Sequence, residues 1–324
     1  MNPAPPLWRQ IQRQNFHRLT DLADFLRLSP DQRARLHHHS AFAFSLPRRI
    51  AQKMAKKTLN DPLIRQFVPL IDESIPAADF CPDPVNDLAF RRHAKLLHKY
   101  HGRVLILTSS ACAMHCRFCF RQNFPYETQN QDFSSELDQI RNDPRMEEVI
   151  LSGGDPLSLS NESLGKLFFQ LAAIPHVKRI RIHSRFPIGI PERIDEGLLS
   201  IFAKHPQQVI FVLHINHVAE LDSDILHALR HLQQLGIPLL SQSVLLNGVN
   251  DDEMTLRILY SALINAGIIP YYLHLLDRVD GSTHFEVSAA RGRQLIQDLR
   301  NHLPGYAVPR LVQEIAGQPS KTLM

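Results

Sequence analysis

The chain has 324 residues, of which 44% are hydrophobic, and it carries a net charge of +4 with a pI near 8.9. That content supports one large core with an appendage, while no apolar run reaches membrane-spanning length and the dispersed Lys and Arg form no nucleic-acid-binding block. Four cysteines in this length, behind a proline-rich start (Met1 to Trp8) that quickly turns polar, exclude a disulfide framework and point to the reducing cytoplasm.

Residues 1–100 read as an N-terminal, mostly helical region, with apolar residues at helical spacing over 8–25 and 47–58 and turns at Asp61-Pro62 and Asp83-Pro84. The run His37-His38-His39 reads as a solvated helix end rather than a metal site, and Cys81 as a small buried or semi-buried thiol. Residues 101–303 change register: strand-like runs at 103–109, 148–152, 179–184, 208–215, 239–245 and 270–276 alternate with helical segments at 134–141, 161–173, 192–204, 223–235, 252–266 and 288–303. Strands apolar on both faces, each followed by an amphipathic helix, predict an α/β fold with a parallel sheet, here a partial (β/α)6 barrel. Residues 304–324 add a last strand, at 307–315, and a short C-terminal tail. In such a barrel the chemistry sits at the C-terminal ends of the strands.

The motif behind the first strand fits that rule. Cys112, Cys116 and Cys119 fall within eight residues. Thiolates at this spacing let one loop wrap a soft metal centre, and three ligands leave a four-ligand centre with one open position. A structural zinc site would need a further Cys or His pair, and none stands near in a C-x-x-C or H-x-x-x-H pattern. An iron–sulfur cluster with an open site is the favoured reading. The next strand ends in Ser152-Gly153-Gly154-Asp155-Pro156. Paired glycines there let a ligand approach the backbone, and Asp155 offers an acceptor to an ammonium; an ordinary Gly-Gly turn is the alternative.

Cys-x3-Cys-x2-Cys with Phe118 before the third cysteine, followed by Gly-Gly-Asp-Pro, resembles the radical S-adenosylmethionine (radical SAM) superfamily. More closely, the chain resembles the lysine 2,3-aminomutase family. The matching stretches are His98-Lys-Tyr-His-Gly-Arg103, Leu151-Ser-Gly-Gly-Asp-Pro-Leu157, His183-Ser-Arg-Phe-Pro-Ile188, His214-Ile-Asn-His217, the run from Gln242 to Asp251 and Pro270-Tyr-Tyr-Leu273. They extend from about residue 45 to Lys321.

The resemblance implies a radical SAM barrel and three cofactors: a 4Fe-4S cluster on Cys112, Cys116 and Cys119, S-adenosyl-L-methionine on its open iron, and pyridoxal 5'-phosphate held covalently by Lys321. Phe118, Gly153, Gly154, Asp155, His214 and Gln242 would then lie around S-adenosylmethionine, and Tyr100 and Arg103 beside pyridoxal phosphate. Arg121 matches the arginine for the substrate carboxylate, and its planar fork suits that group. Asp277 and Glu314 match two aspartates that hold the side-chain ammonium, Glu314 being one methylene longer. The family's lysine lies in a glycine-rich segment, whereas here, between Glu314 and Lys321, only Gly317 remains.

The implied reaction is an isomerisation of L-lysine to β-lysine, with a small-molecule substrate and an electron donor such as flavodoxin or ferredoxin. A chain ending just after Lys321 resembles the branch that supplies β-lysine for modification of translation elongation factor P. Two other readings stand beside this one: a radical enzyme acting on another amino acid or without pyridoxal phosphate, and a non-catalytic zinc- and nucleic-acid-binding protein.

Overall fold

The structure is a computed structural model describing residues 4–127 and 130–324. Ten strands form one sheet in chain order: β1 Arg91–His93, β2 Leu96–Tyr100, β3 Arg103–Ser109, β4 Glu148–Gly153, β5 Arg179–Ser184, β6 Gln208–His214, β7 Leu239–Val244, β8 Ile269–His274, β9 Arg310–Gln313 and β10 Thr322–Leu323. From β3 through β9 every neighbour is parallel. The six predicted strands and the last strand toward the C-terminus are therefore consecutive members of one curved α/β sheet.

Five of the six βα units begin their helix in the same way; the first, Ser134–Asn142 after β3, has Phe133 at its N-cap and no side-chain cap. Ser160, Asp195, Asp222, Asp252 and Ser288 stand at N-cap positions, and each side chain accepts a hydrogen bond from a first-turn backbone N–H. The helix Asn161–Ala172 then buries Leu164, Leu167, Phe168 and Leu171 against the sheet. The segment predicted as helix over 192–204 starts later, as Glu196–Ala203, because Asp195 is the residue that caps it.

Three features differ from the sequence reading, the simplest being that the helical spacing over 47–58 yields only the helix Arg48–Lys53, with Met54 already extended. The antiparallel hairpin β1–β2 precedes the first predicted strand and pairs with it through Leu96↔Ile106 and Tyr100↔Arg103. The helix expected over 8–25 is two helices, Leu7–Gln12 and Leu19–Leu26. Tertiary contacts outweigh helical continuity between them. Asn15 is buried and donates to Ala113 O at 2.8 Å and Ser45 Oγ at 3.1 Å, and Phe16 bridges to Leu46.

Those contacts show what the N-terminal helices do: they grip the loop behind β3. Gln12 Nε2 donates to Cys112 O (3.3 Å), His115 N to Ser45 O (3.1 Å) and Arg117 N to Gln66 O (2.9 Å). Arg117, only 1% exposed, forms a two-pronged ion pair with Glu73 (2.7 and 2.6 Å) and also donates to Ser40 Oγ and Phe42 O.

A buried pair broken on one side leaves an uncompensated charge, which costs about 3–5 kcal/mol. We expect Glu73→Gln to lower the urea midpoint accordingly, while Asp138→Asn, in an exposed pair with Arg141, leaves it unchanged. Equilibrium unfolding of the two variants checks this.

Candidate active site

At the C-terminal ends of the parallel strands the sheet opens into a cavity of about 560 Å³. Cys112, Cys116 and Cys119 line it, and a backbone clamp fixes their loop. Gly154 N donates to Ser109 O (2.6 Å) and Asp155 N to Ala111 O (2.8 Å), so the end of β4 is tied to the start of the cysteine loop. The paired glycines are required for this approach. Gly153 has φ of +120°, and a Cβ there would lie 2.7 Å from Ser109 O; a Cβ on Gly154 would lie 2.5 Å from Ala111 O. The pair thus serves the cysteine loop's backbone, a tighter constraint than the ligand approach expected from sequence.

Asp155 also has a different task from the one predicted. Its carboxylate is 4% exposed and accepts from Leu157 N, Ser184 Oγ, Arg185 N and Phe186 N at 2.8–3.0 Å. These donors fill its lone pairs, so Asp155 joins the end of β4 to the end of β5 instead of receiving a ligand ammonium.

Across the cavity, β9 and β10 pair antiparallel with Thr322 opposite Gln313. This register sets Lys321 beside Glu314, with Lys321 Nζ donating to Glu314 Oε2 at 2.8 Å and Tyr100 OH donating to Glu314 Oε1 at 2.5 Å. Burial pushes the Glu314 carboxyl upward, but the Lys321 ammonium and these hydrogen bonds outweigh it and hold the group below its usual value. Lys99 lies 3.7 Å from Glu314 and 2.7 Å from Asp87. Asp87, 1% exposed, in turn accepts from Arg121 Nε at 2.6 Å. The Asp87 carboxyl is likewise held low: burial works upward, but Arg121 and Lys99 prevail. Because Asp87 occupies Nε, the terminal nitrogens of Arg121 remain for another anion, the nearer partner being Ser152 Oγ at 3.5 Å.

Asp277 differs from these carboxylates. No protein donor among the described residues hydrogen-bonds its side chain, and burial raises its pKa to about 6, with Lys321 only partly offsetting the rise. Arg103 lies over the Tyr100 ring (4.6 Å) and makes no ion pair among the described residues.

His214 and Gln242 line the cavity from β6 and β7. His214 Nε2 lies 3.2 Å from Asn216 Oδ1, and burial keeps the ring neutral, well below the ordinary histidine value. Phe118 is 4% exposed and packs edge-on against His214 and Phe285 (ring centroids 5.7 and 5.8 Å), so most of its surface is committed to the core.

The cavity also contains residues that sequence reasoning did not assign. Asp87, Lys99 and Arg185 are among them, together with His183 and His274, whose buried Nε2 atoms have no hydrogen-bond partner among the described residues. The two histidines carried a usable signal, since His274 ends β8 as His214 ends β6, and His183 is the last residue but one of β5.

The residues fit the groups expected from sequence. Three thiols line one wall, and a buried cation, Arg185, donates from Nη1 to Cys116 Sγ at 2.8 Å, as suits a thiolate ligand. Among the described residues no three His, Cys, Asp or Glu side chains are grouped around a single ion. A cubane bound through a separate iron by each cysteine needs no such convergence. Opposite lie a lysine in an ion pair, an unpaired arginine and a hydrogen-bonded tyrosine, suited to an aldehyde cofactor bearing a phosphate.

A cysteine-lined mouth on an open parallel barrel defines a radical SAM enzyme, and the family model described as the Radical SAM superfamily matches residues 106–258. The fold resembles that of Streptococcus suis SuiB, solved with S-adenosylmethionine, at a TM-score of 0.51 and 16% identity over 67% of this chain and 51% of that one. The chain belongs to the L-lysine 2,3-aminomutase family, a family of isomerases. It is 43% identical to the Escherichia coli L-lysine 2,3-aminomutase over 94% of this chain and 93% of that protein. Identity with the Haemophilus influenzae L-lysine 2,3-aminomutase is 41%, over 87% and 84%. With that of Clostridium subterminale it is 36%, over 81% of this chain and 64% of the longer relative.

The clamp makes a local prediction. Gly154→Ala forces backbone apart at the cysteine loop and should cost about 1–3 kcal/mol. Gly165→Ala, inside the helix Asn161–Ala172 with 3.7 Å of clearance to Ile201, should gain about 0.5–1 kcal/mol. Thermal unfolding of both, with iron content for the first, tests the clamp.

Proposed function

We propose that this protein is an L-lysine 2,3-aminomutase that moves the amino group of L-lysine from C2 to C3. The carrying observation is the β9–β10 register, which sets Lys321 against Glu314 in the same cavity as the three cysteines. When bound, the 4Fe-4S cluster and S-adenosylmethionine would supply a carbon-centred radical, and pyridoxal phosphate would hold the migrating nitrogen. Cys112, Cys116 and Cys119 would hold the cluster, Lys321 the pyridoxal phosphate, and the unpaired Arg103 its phosphate, with Tyr100 alongside. His214 and Gln242 are assigned to the S-adenosylmethionine side, with Phe118 behind them and the backbone of Gly153 and Gly154 closing the floor.

The substrate would lie between two charges. Arg121, braced by Asp87, would take the α-carboxylate through its free terminal nitrogens. Asp277 would take the side-chain ammonium, with Glu314 released to help once Lys321 turns to the cofactor. The hydrogen that leaves C3 returns at C2, so one turnover consumes no reductant; an external flavodoxin or ferredoxin would be needed to prime the cluster. The assigned setting is the cytoplasm; no helix among the described residues is long and apolar enough to cross a membrane. The β-lysine is assigned to elongation factor P modification, which normally modified factor in a deletion strain would contradict.

Anaerobic incubation of the reconstituted protein with S-adenosylmethionine, pyridoxal phosphate, dithionite and labelled L-lysine should yield labelled β-lysine, resolved by chiral chromatography. Lys321→Ala should abolish it; an active variant would instead favour a radical enzyme independent of pyridoxal phosphate. Asp277→Asn removes a charge-assisted contact of about 1.5–3 kcal/mol, so the KM for lysine should rise roughly tenfold to a hundredfold with less change in kcat.

The pH dependence has a definite sign. Below about 6 Asp277 is protonated and neutral, and above it the carboxylate attracts an ammonium. Lysine affinity should therefore rise through pH 6 and level off above it, a trend that Asp277→Asn should flatten.

A further inference from the structure

Arg185 stands one residue beyond β5, 7% exposed, and both terminal nitrogens of its guanidinium are engaged, while the buried Nε has no hydrogen-bond partner among the described residues. Nη1 donates to Cys116 Sγ at 2.8 Å, while Nη2 donates to Gln66 Oε1 and Glu220 Oε2, both at 2.7 Å. One face lies over Phe67 at 4.6 Å. Glu220, 0% exposed, cannot follow a displaced arginine. Its second oxygen accepts from Asn216 N (2.9 Å), His217 N (3.0 Å) and Gln66 Nε2 (3.2 Å). Gln66 O also accepts from Arg117 N in the cysteine loop, so the same residue braces both the arginine and the loop.

We propose that Arg185 is a positioning residue that sets the reduction potential of the cluster through its hydrogen bond to Cys116, with Glu220 as the counter-charge that limits the effect. This rests on the functional reading above. Reduction adds one electron from an external one-electron reductant, and with it one negative charge, to the cluster. No protein bond forms or breaks. An N–H donor and a positive charge at a ligand sulfur stabilise the more negative, reduced state and raise the potential. A fixed carboxylate on the far side of the guanidinium pulls the other way. Burying a guanidinium–carboxylate pair costs desolvation, and an apolar pair of the same volume would pack as well. A purely structural bridge would also have no need to spend one fork nitrogen on a cysteine sulfur.

The two residues therefore predict shifts of opposite sign. Redox titration of the anaerobically reconstituted full chain, followed by the electron paramagnetic resonance of the reduced cluster, reads them directly. With iron and sulfide content matched to wild type, Arg185→Gln should make reduction harder by at least a factor of ten, a fall of about 59 mV for one electron. Glu220→Gln, which leaves the guanidinium uncompensated, should make reduction easier. Arg185→Lys, which keeps the charge but loses the fork, should fall between Arg185→Gln and wild type.

An unmoved potential in Arg185→Gln, or shifts of the same sign in both variants, overturns the proposal, because general loosening of the loop would not reverse between the members of one ion pair. Should Arg185→Gln fail to retain its iron, Glu220→Gln decides alone: a higher potential supports the proposal, and an unchanged or lower one rejects it. Wild-type protein that takes up no iron and sulfide overturns the aminomutase reading and this inference with it, whereas a wild-type cluster with insensitive variants overturns this inference only.

Discussion

The cysteine loop has to hold three thiols still without a ladder of its own, and the rest of the molecule is arranged around that requirement. Past β3 its backbone leaves the sheet, and each polar group must find a partner elsewhere or carry the cost of an unpaired buried dipole. The partners come from far along the chain: Gln12 at the end of the first helix and Asn15 just after it, Ser45, Gln66 and Glu73 further on, and the Gly153–Asp155 backbone at the end of β4. The N-terminal helices are therefore a brace for the site. Their break at Asn15, poor economy for a helix, delivers a buried amide to Ala113.

The opposite wall is organised by charge. Lys99, Arg121 and Lys321 face Asp87, Glu314 and Asp277, and the ion pairs among the first five form a chain from Arg121 through Asp87, Lys99 and Glu314 to Lys321. Among the described residues, Asp277 stands outside the chain without a hydrogen-bonding donor, and Arg103 has no carboxylate partner. These two are the unspent charges of the cavity, one acidic and one basic. A phosphate at the basic one and an ammonium at the acidic one would complete the balance, whereas two ligands of the same sign would leave a buried charge exposed to self-repulsion.

Much of this was legible in the sequence because it rests on periodicity and spacing. Runs such as Arg103–Ser109 and Gln208–His214 are apolar enough to announce buried strands, and the spacing of Cys112, Cys116 and Cys119 points to a single soft metal centre. The β1–β2 hairpin was hidden because 91–100 reads RRHAKLLHKY, too cationic for a core strand, yet it lies at the sheet's edge where such residues are tolerated. The hydrogen bonds of Asp155 were hidden because its loop partners, the N–H groups of Arg185 and Phe186, lie about thirty residues on. The roles of Asp87, Arg185 and Glu220 were unreadable for the same reason: each depends on partners that only the fold brings near.

The tail shows how a departure in sequence can leave geometry intact. A lysine three residues from the end of the chain would ordinarily sit in a frayed segment. Here Thr322 and Leu323 pair with Gln313 and Val312, and Met324 N donates to Leu311 O at 3.1 Å, so the segment after Lys321 is fastened to the sheet. The connection between β9 and β10 must reverse direction, and it does so in a four-residue turn closed by Gln318 N donating to Ile315 O at 3.2 Å. Gly317 is its third residue and has φ of +82°, the conformation that a type II turn reserves for glycine. No other residue from Glu314 to Lys321 has a positive φ. One glycine, at this one place, is all that the backbone requires to return the chain and hold Lys321 against Glu314, which is why a segment otherwise stripped of glycine still presents the lysine to the cavity.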